Sequence, residues 1–137
     1  MTRVITFGSF DLLHYGHMRL LARIAKIADE VYVGLVTDEI IFSKKQKQPF
    51  NSYDIRREML LHTRYVDNVI LHHGPIDGAG RVLIIQQKID FISQYKIDMV
   101  VMGSDWKGDY DFLRPYCEVI YLDRTEGIST TEIRKNY

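Results

Sequence analysis

Five short apolar runs, separated by helical patterns and polar stretches, constrain the fold of this chain more than any other feature. Val4-Ile5-Thr6-Phe7 stops at Gly8, residues 31–36 are continuously apolar, residues 66–71 form a third run, 99–102 stop at Gly103, and 119–122 form the fifth. Between them, Leu20, Leu21, Ile24, Ala25 and Ala28 recur at helical spacing, as do Val82, Ile85, Ile89 and Ile92 ahead of Tyr95. A further helix is predicted from Tyr53 to about His62. Strands covered on both faces read as unbroken apolar runs, and strand–helix alternation produces a parallel sheet with right-handed crossovers. The predicted fold is therefore an α/β, Rossmann-like, doubly wound sheet of five mainly parallel strands. The chain has 137 residues, which suits one domain spanning 1–137.

Two segments are predicted as loops. Residues 38–52 are polar and carry Lys44, Lys45 and Lys47, and residues 72–80 contain Gly74, Pro75, Gly78 and Gly80. Ser129 with Glu132 three residues later matches a capping box and opens a short last helix.

Composition removes several function classes. Lys plus Arg and Asp plus Glu number 18 each, so the net charge is zero, and 46 % of residues are apolar. That combination excludes intrinsic disorder and argues against a general nucleic-acid coat. No apolar run reaches the roughly 18 residues of a membrane span, and no signal-peptide pattern opens the chain, so membrane insertion is not expected. The single cysteine, Cys117, has no internal disulfide partner, and no Cys/His zinc pattern is present. These features favour a cytoplasmic setting.

In doubly wound sheets ligands bind outside the carboxyl ends of the strands, where the strand order reverses. After the first run comes Gly8-Ser9-Phe10-Asp11-Leu12-Leu13-His14-Tyr15-Gly16-His17. Two imidazoles beside a helix start, with its unpaired N–H groups, suit phosphoryl oxygens, and Gly16 allows a nucleotide close to the backbone. Neither the dinucleotide fingerprint nor a Walker loop is present. After the fifth run comes Arg124-Thr125-Glu126-Gly127-Ile128-Ser129-Thr130-Thr131, an arginine, a glycine and hydroxyls leading into a capped helix. After the fourth comes Gly103-Ser104-Asp105-Trp106, and after the second the lysine-rich stretch.

His14-Tyr15-Gly16-His17 and Arg124 to Thr131 resemble the two signatures of the cytidylyltransferases, within the nucleotidyltransferase superfamily marked by His-x-Gly-His. The likeness covers nearly the whole chain and is nearest to the bacterial glycerol-3-phosphate cytidylyltransferases. It implies an enzyme that transfers CMP from CTP to a small phosphorylated acceptor, with Mg²⁺ accompanying CTP, and a homodimer. The product would be CDP-glycerol, a precursor for wall or capsule polymers. By resemblance, His14, His17, Lys44 and Arg124 serve catalysis. Ser9, Phe10, Asp11, Gly16, Arg124, Thr125, Gly127, Ile128, Ser129, Thr130 and Thr131 hold the nucleotide. Lys44, Lys47, Arg56, Lys88, Asp105 and Trp106 face the acceptor. No dedicated metal cage is spelled out, which fits magnesium bound through phosphates and water.

Alternatives stay open at this level. Arg56 has a salt bridge to Asp54 or Glu58 as its structural reading, Trp106 can be core, and His72 and His73 read as loop residues. Segment 72–81 is longer than in the glycerol-phosphate enzymes, which leaves ribitol phosphate, other polyol phosphates, phosphocholine and phosphoethanolamine as acceptors. An ATP-dependent adenylyltransferase and an inactive nucleotide sensor are the other readings.

Overall fold

The computed structural model describes residues 1–73 and 85–123. The first strand, β1 (Arg3–Gly8), is followed by α1 (Tyr15–Ile27), β2 (Glu30–Val36), α2 (Asp38–Lys45), α3 (Tyr53–Leu61) and β3 (Asn68–His72). Then come α4 (Ile85–Gln94), β4 (Met99–Gly103), two short 3-10 turns at Ser104–Trp106 and Asp111–Leu113, and β5 (Glu118–Leu122). The five strands lie in the order β3-β2-β1-β4-β5 and every neighbouring pair is parallel. The predicted doubly wound architecture is therefore the observed one. The predicted final helix and most of the 72–80 loop lie outside the described residues.

Burial explains why the middles of the strands are largely apolar. One face of the sheet packs Ile5, Phe7, Tyr32, Ile70, Val100 and Met102 against Phe91 and Ile92 of α4. The opposite face packs Val4, Val31 and Val101 under Ile24 of α1, and Val33 and Leu35 under Leu21 and under Leu60 of α3. Successive strand residues thus enter two different cores, as the two-residue repeat of a strand requires.

The lysine-rich segment is the main correction. Residues 38–45 are helical, with Thr37 as N-cap accepting the Ile40 N–H at 3.3 Å. Ile40 and Ile41 are buried beneath it. Asp38 and Glu39 stand in its first turn and Lys44 and Lys45 in its last, each sign at the helix end that favours it. His72, read as a loop residue, is instead the last residue of β3 and fully buried, its ring 5.3 Å from that of Phe7.

The order reverses between β1 and β4, and there the sheet parts. β1 pairs with β2 over its full length but with β4 only through Val4–Met99 and Ile5–Val100. Beyond Ile5 the Met102 thioether fills the gap, 3.4 Å from the Phe7 backbone nitrogen. On the other side, Gly34 leaves room for the Phe7 ring: a Cβ there would stand 2.5 Å from its Cδ1. Gly34→Ala is therefore expected to lower the unfolding free energy by about 1–3 kcal/mol through overpacking. Urea denaturation checks this, and a wild-type midpoint would show that the ring shifts freely.

Candidate active site

The segment joining β1 to α1 is shaped by its backbone before any side chain is considered. Phe10 and Leu12 have φ of 46° and 54°, a left-handed conformation that side chains other than glycine and asparagine disfavour. Asp11, between them, is 3 % exposed. Its carboxylate accepts the Phe50 N–H at 2.6 Å and the Asn51 N–H at 2.8 Å, fastening the segment after α2 to the one after β1. Arg56 completes the fastening. Its guanidinium donates to the carbonyls of Ser9 and Val36, each at 2.9 Å, and of Asn51 at 3.0 Å. It also pairs with Asp38 at 2.6 Å. The residue is 1 % exposed, so it holds the site loop together and is not placed to contact an acceptor. The partner is Asp38, and neither Asp54 nor Glu58.

His14 and His17 cap α1 reciprocally. His14 Nδ1 accepts the N–H groups of Gly16 (3.0 Å) and His17 (3.4 Å), while His17 Nδ1 accepts the His14 N–H (3.3 Å). A neutral imidazole that accepts through Nδ1 carries its proton on Nε2. The caps therefore fix the tautomer and leave each histidine one outward N–H donor. The rings stack with centroids 3.9 Å apart. Burial pushes the His17 imidazole down to about 4, the His14 charge adds to this, and Asp11 opposes it. Burial lowers His14 as well. Near neutral pH both are uncharged donors.

This burial has a consequence for stability. Between the ordinary value of 6.5 and the folded value of about 4, unfolded chains take up a proton at His17 that folded chains refuse. Stability therefore falls as pH drops through that window and levels off below it. The loss attributable to His17 is on the order of 3 kcal/mol. Urea denaturation at pH 7 and pH 4.5 should show a smaller acid loss in His17→Gln than in wild type, and equal losses would refute the assignment.

A cavity of about 270 Å³ opens where β1 and β4 part. Its wall includes Ser9, Phe10, His14, Gly16, His17, Asp105 and Trp106, so these sequence-predicted residues meet in one place. Asp11 lies behind it as a fastener. Lys44 stands in the last turn of α2 and Lys47 is exposed just beyond the helix, and neither lines this cavity. Partial burial of its ammonium lowers Lys44, and Lys45 adds repulsion. Lys88 of α4 is 6 % exposed and sits against the Phe7 ring. Arg124, Thr125, Gly127, Ile128, Ser129, Thr130 and Thr131 lie outside the described residues.

Sequence reasoning missed Met102 and Arg23, both on the cavity wall. The signal for Arg23 was available: Gly16, Leu20 and Arg23 follow one another at spacings of four and three along α1, and so share a helix face. Arg23 donates to the Asp123 carbonyl at 2.7 Å, tying α1 to the exit of β5. For Met102 no local signal exists, because its partner is on another strand.

The arrangement offers uncharged N–H donors, a helix N-terminus and a pre-shaped loop around a cavity, which suits stabilising charge on a phosphoryl group. The model of the cytidylyltransferase-like family matches residues 5–136. Among curated relatives, the glycerol-3-phosphate cytidylyltransferase of Staphylococcus aureus is 48 % identical over 136 residues, covering 98 % of this chain and 94 % of its own length. That of Bacillus subtilis is 45 % identical over 135 residues, covering 98 % and 96 %. An FAD synthase of Pyrococcus horikoshii is 31 % identical over 121 residues, covering 88 % and 75 %. Among solved structures, a lipopolysaccharide core biosynthesis protein of Thermoplasma volcanium shares the fold, with a TM-score of 0.73 at 24 % identity, covering 92 % of this chain and 99 % of its own. With its paired capping histidines and a family match running nearly end to end, the chain belongs to the cytidylyltransferase-like family.

Proposed function

We propose that this protein transfers the CMP unit of CTP to the phosphate of glycerol 3-phosphate, forming CDP-glycerol and releasing pyrophosphate. The observation that carries the reading is the 45–48 % identity to glycerol-3-phosphate cytidylyltransferases over nearly the full length of both chains. In this reaction an acceptor phosphate oxygen attacks the α-phosphorus, a new P–O bond forms, and the bond to the pyrophosphate oxygen breaks. Negative charge grows on the α-phosphoryl oxygens. The Nε2–H groups of His14 and His17 are assigned to that charge, where fixed donors contribute most. Ser9, Phe10 and Gly16 line the nucleotide's approach, Lys44 is assigned to bridge acceptor and α-phosphate, and Arg124 to Thr131 to the remaining phosphates. Asp105, Trp106, Lys47 and Lys88 are assigned to the acceptor side.

Mg²⁺ is expected to enter with CTP, partly neutralising the triphosphate. Among the described residues no group of three His, Cys, Asp or Glu side chains could cage a metal. Such an ion would be held mainly by phosphate and water, with Asp105 and Asp123 as residues of the cavity wall that carry carboxylates. A homodimer is also proposed: β3 is an edge strand with Leu71 46 % exposed, and Ile55 and Met59 of the adjacent α3 are exposed at 47 % and 42 %. Such apolar surface beside an open edge invites a second copy, and sedimentation analysis reads the state directly. CTP is an intracellular nucleotide, which assigns the reaction to the cytoplasm. No helix among the described residues is long and apolar enough to cross a membrane.

The test is pyrophosphate release from CTP and Mg²⁺ with a panel of glycerol 3-phosphate, ribitol and erythritol phosphates, phosphocholine and phosphoethanolamine. Preferred release with glycerol 3-phosphate supports the reading. Release only with another acceptor keeps the chemistry and overturns the substrate, and release only when ATP replaces CTP overturns the nucleotide. CTP binding without release would favour the sensor reading.

A further inference from the structure

We propose that Phe7 and Tyr110 form a two-ring platform that positions the Lys88 ammonium to receive the anionic end of the acceptor, which makes Tyr110 a positioning residue of the reaction. The inference rests on the proposed transfer to a phosphorylated acceptor and deepens it, because it concerns what holds Lys88 rather than what Lys88 binds.

Lys88 is a buried cation whose surroundings are unusual. Its Nζ lies 5.4 Å from the centre of the Phe7 ring and 5.5 Å from that of Tyr110. The two rings stack on each other, 5.8 Å apart and 20° from parallel. Among the described residues no carboxylate pairs with Lys88. The charged neighbour that affects it is Lys44, of the same sign; burial first and then Lys44 draw the ammonium down to about 7. His72 also meets the platform, its ring 5.3 Å from that of Phe7, and Asp109 and Tyr121 act on Tyr110 from its other surroundings. Aromatic faces attract a cation through their quadrupole and replace part of its lost hydration, without supplying the negative charge of a carboxylate. A cation held this way stays available to an anion from outside. The opposing positive charge of Lys44 makes a phosphate between or beside the two ammonium groups favourable for both.

The platform is built to stay in place. Gly34 is the hollow into which the Phe7 ring fits. The Tyr110 N–H donates to the Tyr121 hydroxyl at 2.9 Å, and that hydroxyl donates to Asp111 at 2.9 Å. The platform also adjoins the cavity: Phe7 belongs to the cavity wall, and Trp106 of the same wall meets Tyr110 edge-on at 6.1 Å.

The test is steady-state kinetics with CTP and glycerol 3-phosphate. Tyr110→Leu is expected to raise the acceptor KM about tenfold while the CTP KM stays unchanged. Tyr110→Phe, which keeps the ring face, should restore the acceptor KM. Because Tyr110 acts through Lys88, adding Tyr110→Leu to Lys88→Met should raise the KM no further than Lys88→Met alone. An unchanged acceptor KM in Tyr110→Leu, a parallel rise in both KM values, or additive losses in the double variant would each overturn the proposal. Should Tyr110→Leu fail to fold, Tyr110→Met fills a similar space with a flexible chain and carries the same expectation. If wild type releases no pyrophosphate with glycerol 3-phosphate, that substrate reading falls by itself. The platform is then read by calorimetric titration with inorganic phosphate. About tenfold weaker binding in both Tyr110→Leu and Lys88→Met sustains it, and equal affinity in all three proteins overturns it.

Discussion

His14→Ala and His17→Ala are each expected to lose at least about 100-fold in turnover, the scale of removing one donor aimed at a developing oxyanion. Each histidine has two occupations, however, because each also caps α1 through Nδ1. Losing a cap costs about 1 kcal/mol, and a loosened helix start could slow the reaction without any lost Nε2 contact. His14→Asn separates the two effects. Asparagine is among the best N-caps, so the Gly16 and His17 N–H groups keep an acceptor, while the outward imidazole N–H disappears. The expected result is a melting temperature near wild type together with the full loss of turnover. Recovery of turnover in His14→Asn would assign the residue to capping alone. The pair also explains why uncharged histidines serve here. Nδ1 is committed to backbone donors, and burial resists the second proton, so each ring presents one directed donor whose tautomer does not have to be selected during the reaction.

How far the sequence revealed this site depends on how local each cause is. Each of the five runs marks a strand, and for the three central ones, β2, β1 and β4, burial on both faces demands apolar residues through the middle of the strand, a demand visible without knowing the neighbours. His14 and His17 stood out as two histidines around a glycine at a helix start, and their capping roles are local as well, the partners being the backbone two and three residues away. Helix α2 was missed because Ile40, Ile41 and Phe42 are contiguous and show no helical period, although the Thr37 cap and the segregated charges at its two ends marked it locally. The roles of Arg56, Lys88 and Met102 were not legible. Arg56 bonds to residues 9, 36, 38 and 51, and Lys88 sits on rings from residues 7 and 110. Those meetings are made by the strand order, and no spacing along the chain encodes them.

Arg56 supplies the largest expected effect on stability. Arg56→Ala should lower the unfolding free energy by about 3–5 kcal/mol, as measured by urea denaturation. The loss comes less from the ion pair than from the backbone. Asp38 is 33 % exposed and can return to water, whereas the carbonyls of Ser9, Val36 and Asn51 lose a donor in the interior, at about 1–3 kcal/mol for each that water cannot reach. Arg56→Lys should recover only part of this, since a single ammonium cannot span four acceptors laid out for a planar fork. Asp38→Asn should cost far less than Arg56→Ala, which distinguishes a carbonyl clamp from a salt bridge; equal losses would reverse that ranking. The clamp also shares a task with Asp11: Asp11 ties residues 50–51 to the strained Phe10–Leu12 segment, and Arg56 ties Asn51 to Ser9, the residue just before it. Asp11→Asn and Arg56→Lys should therefore couple, departing from additivity by more than about 0.5 kcal/mol. Strict additivity would mean that each holds its own part of the loop, and that the left-handed backbone at Phe10 and Leu12 is maintained without their joint restraint.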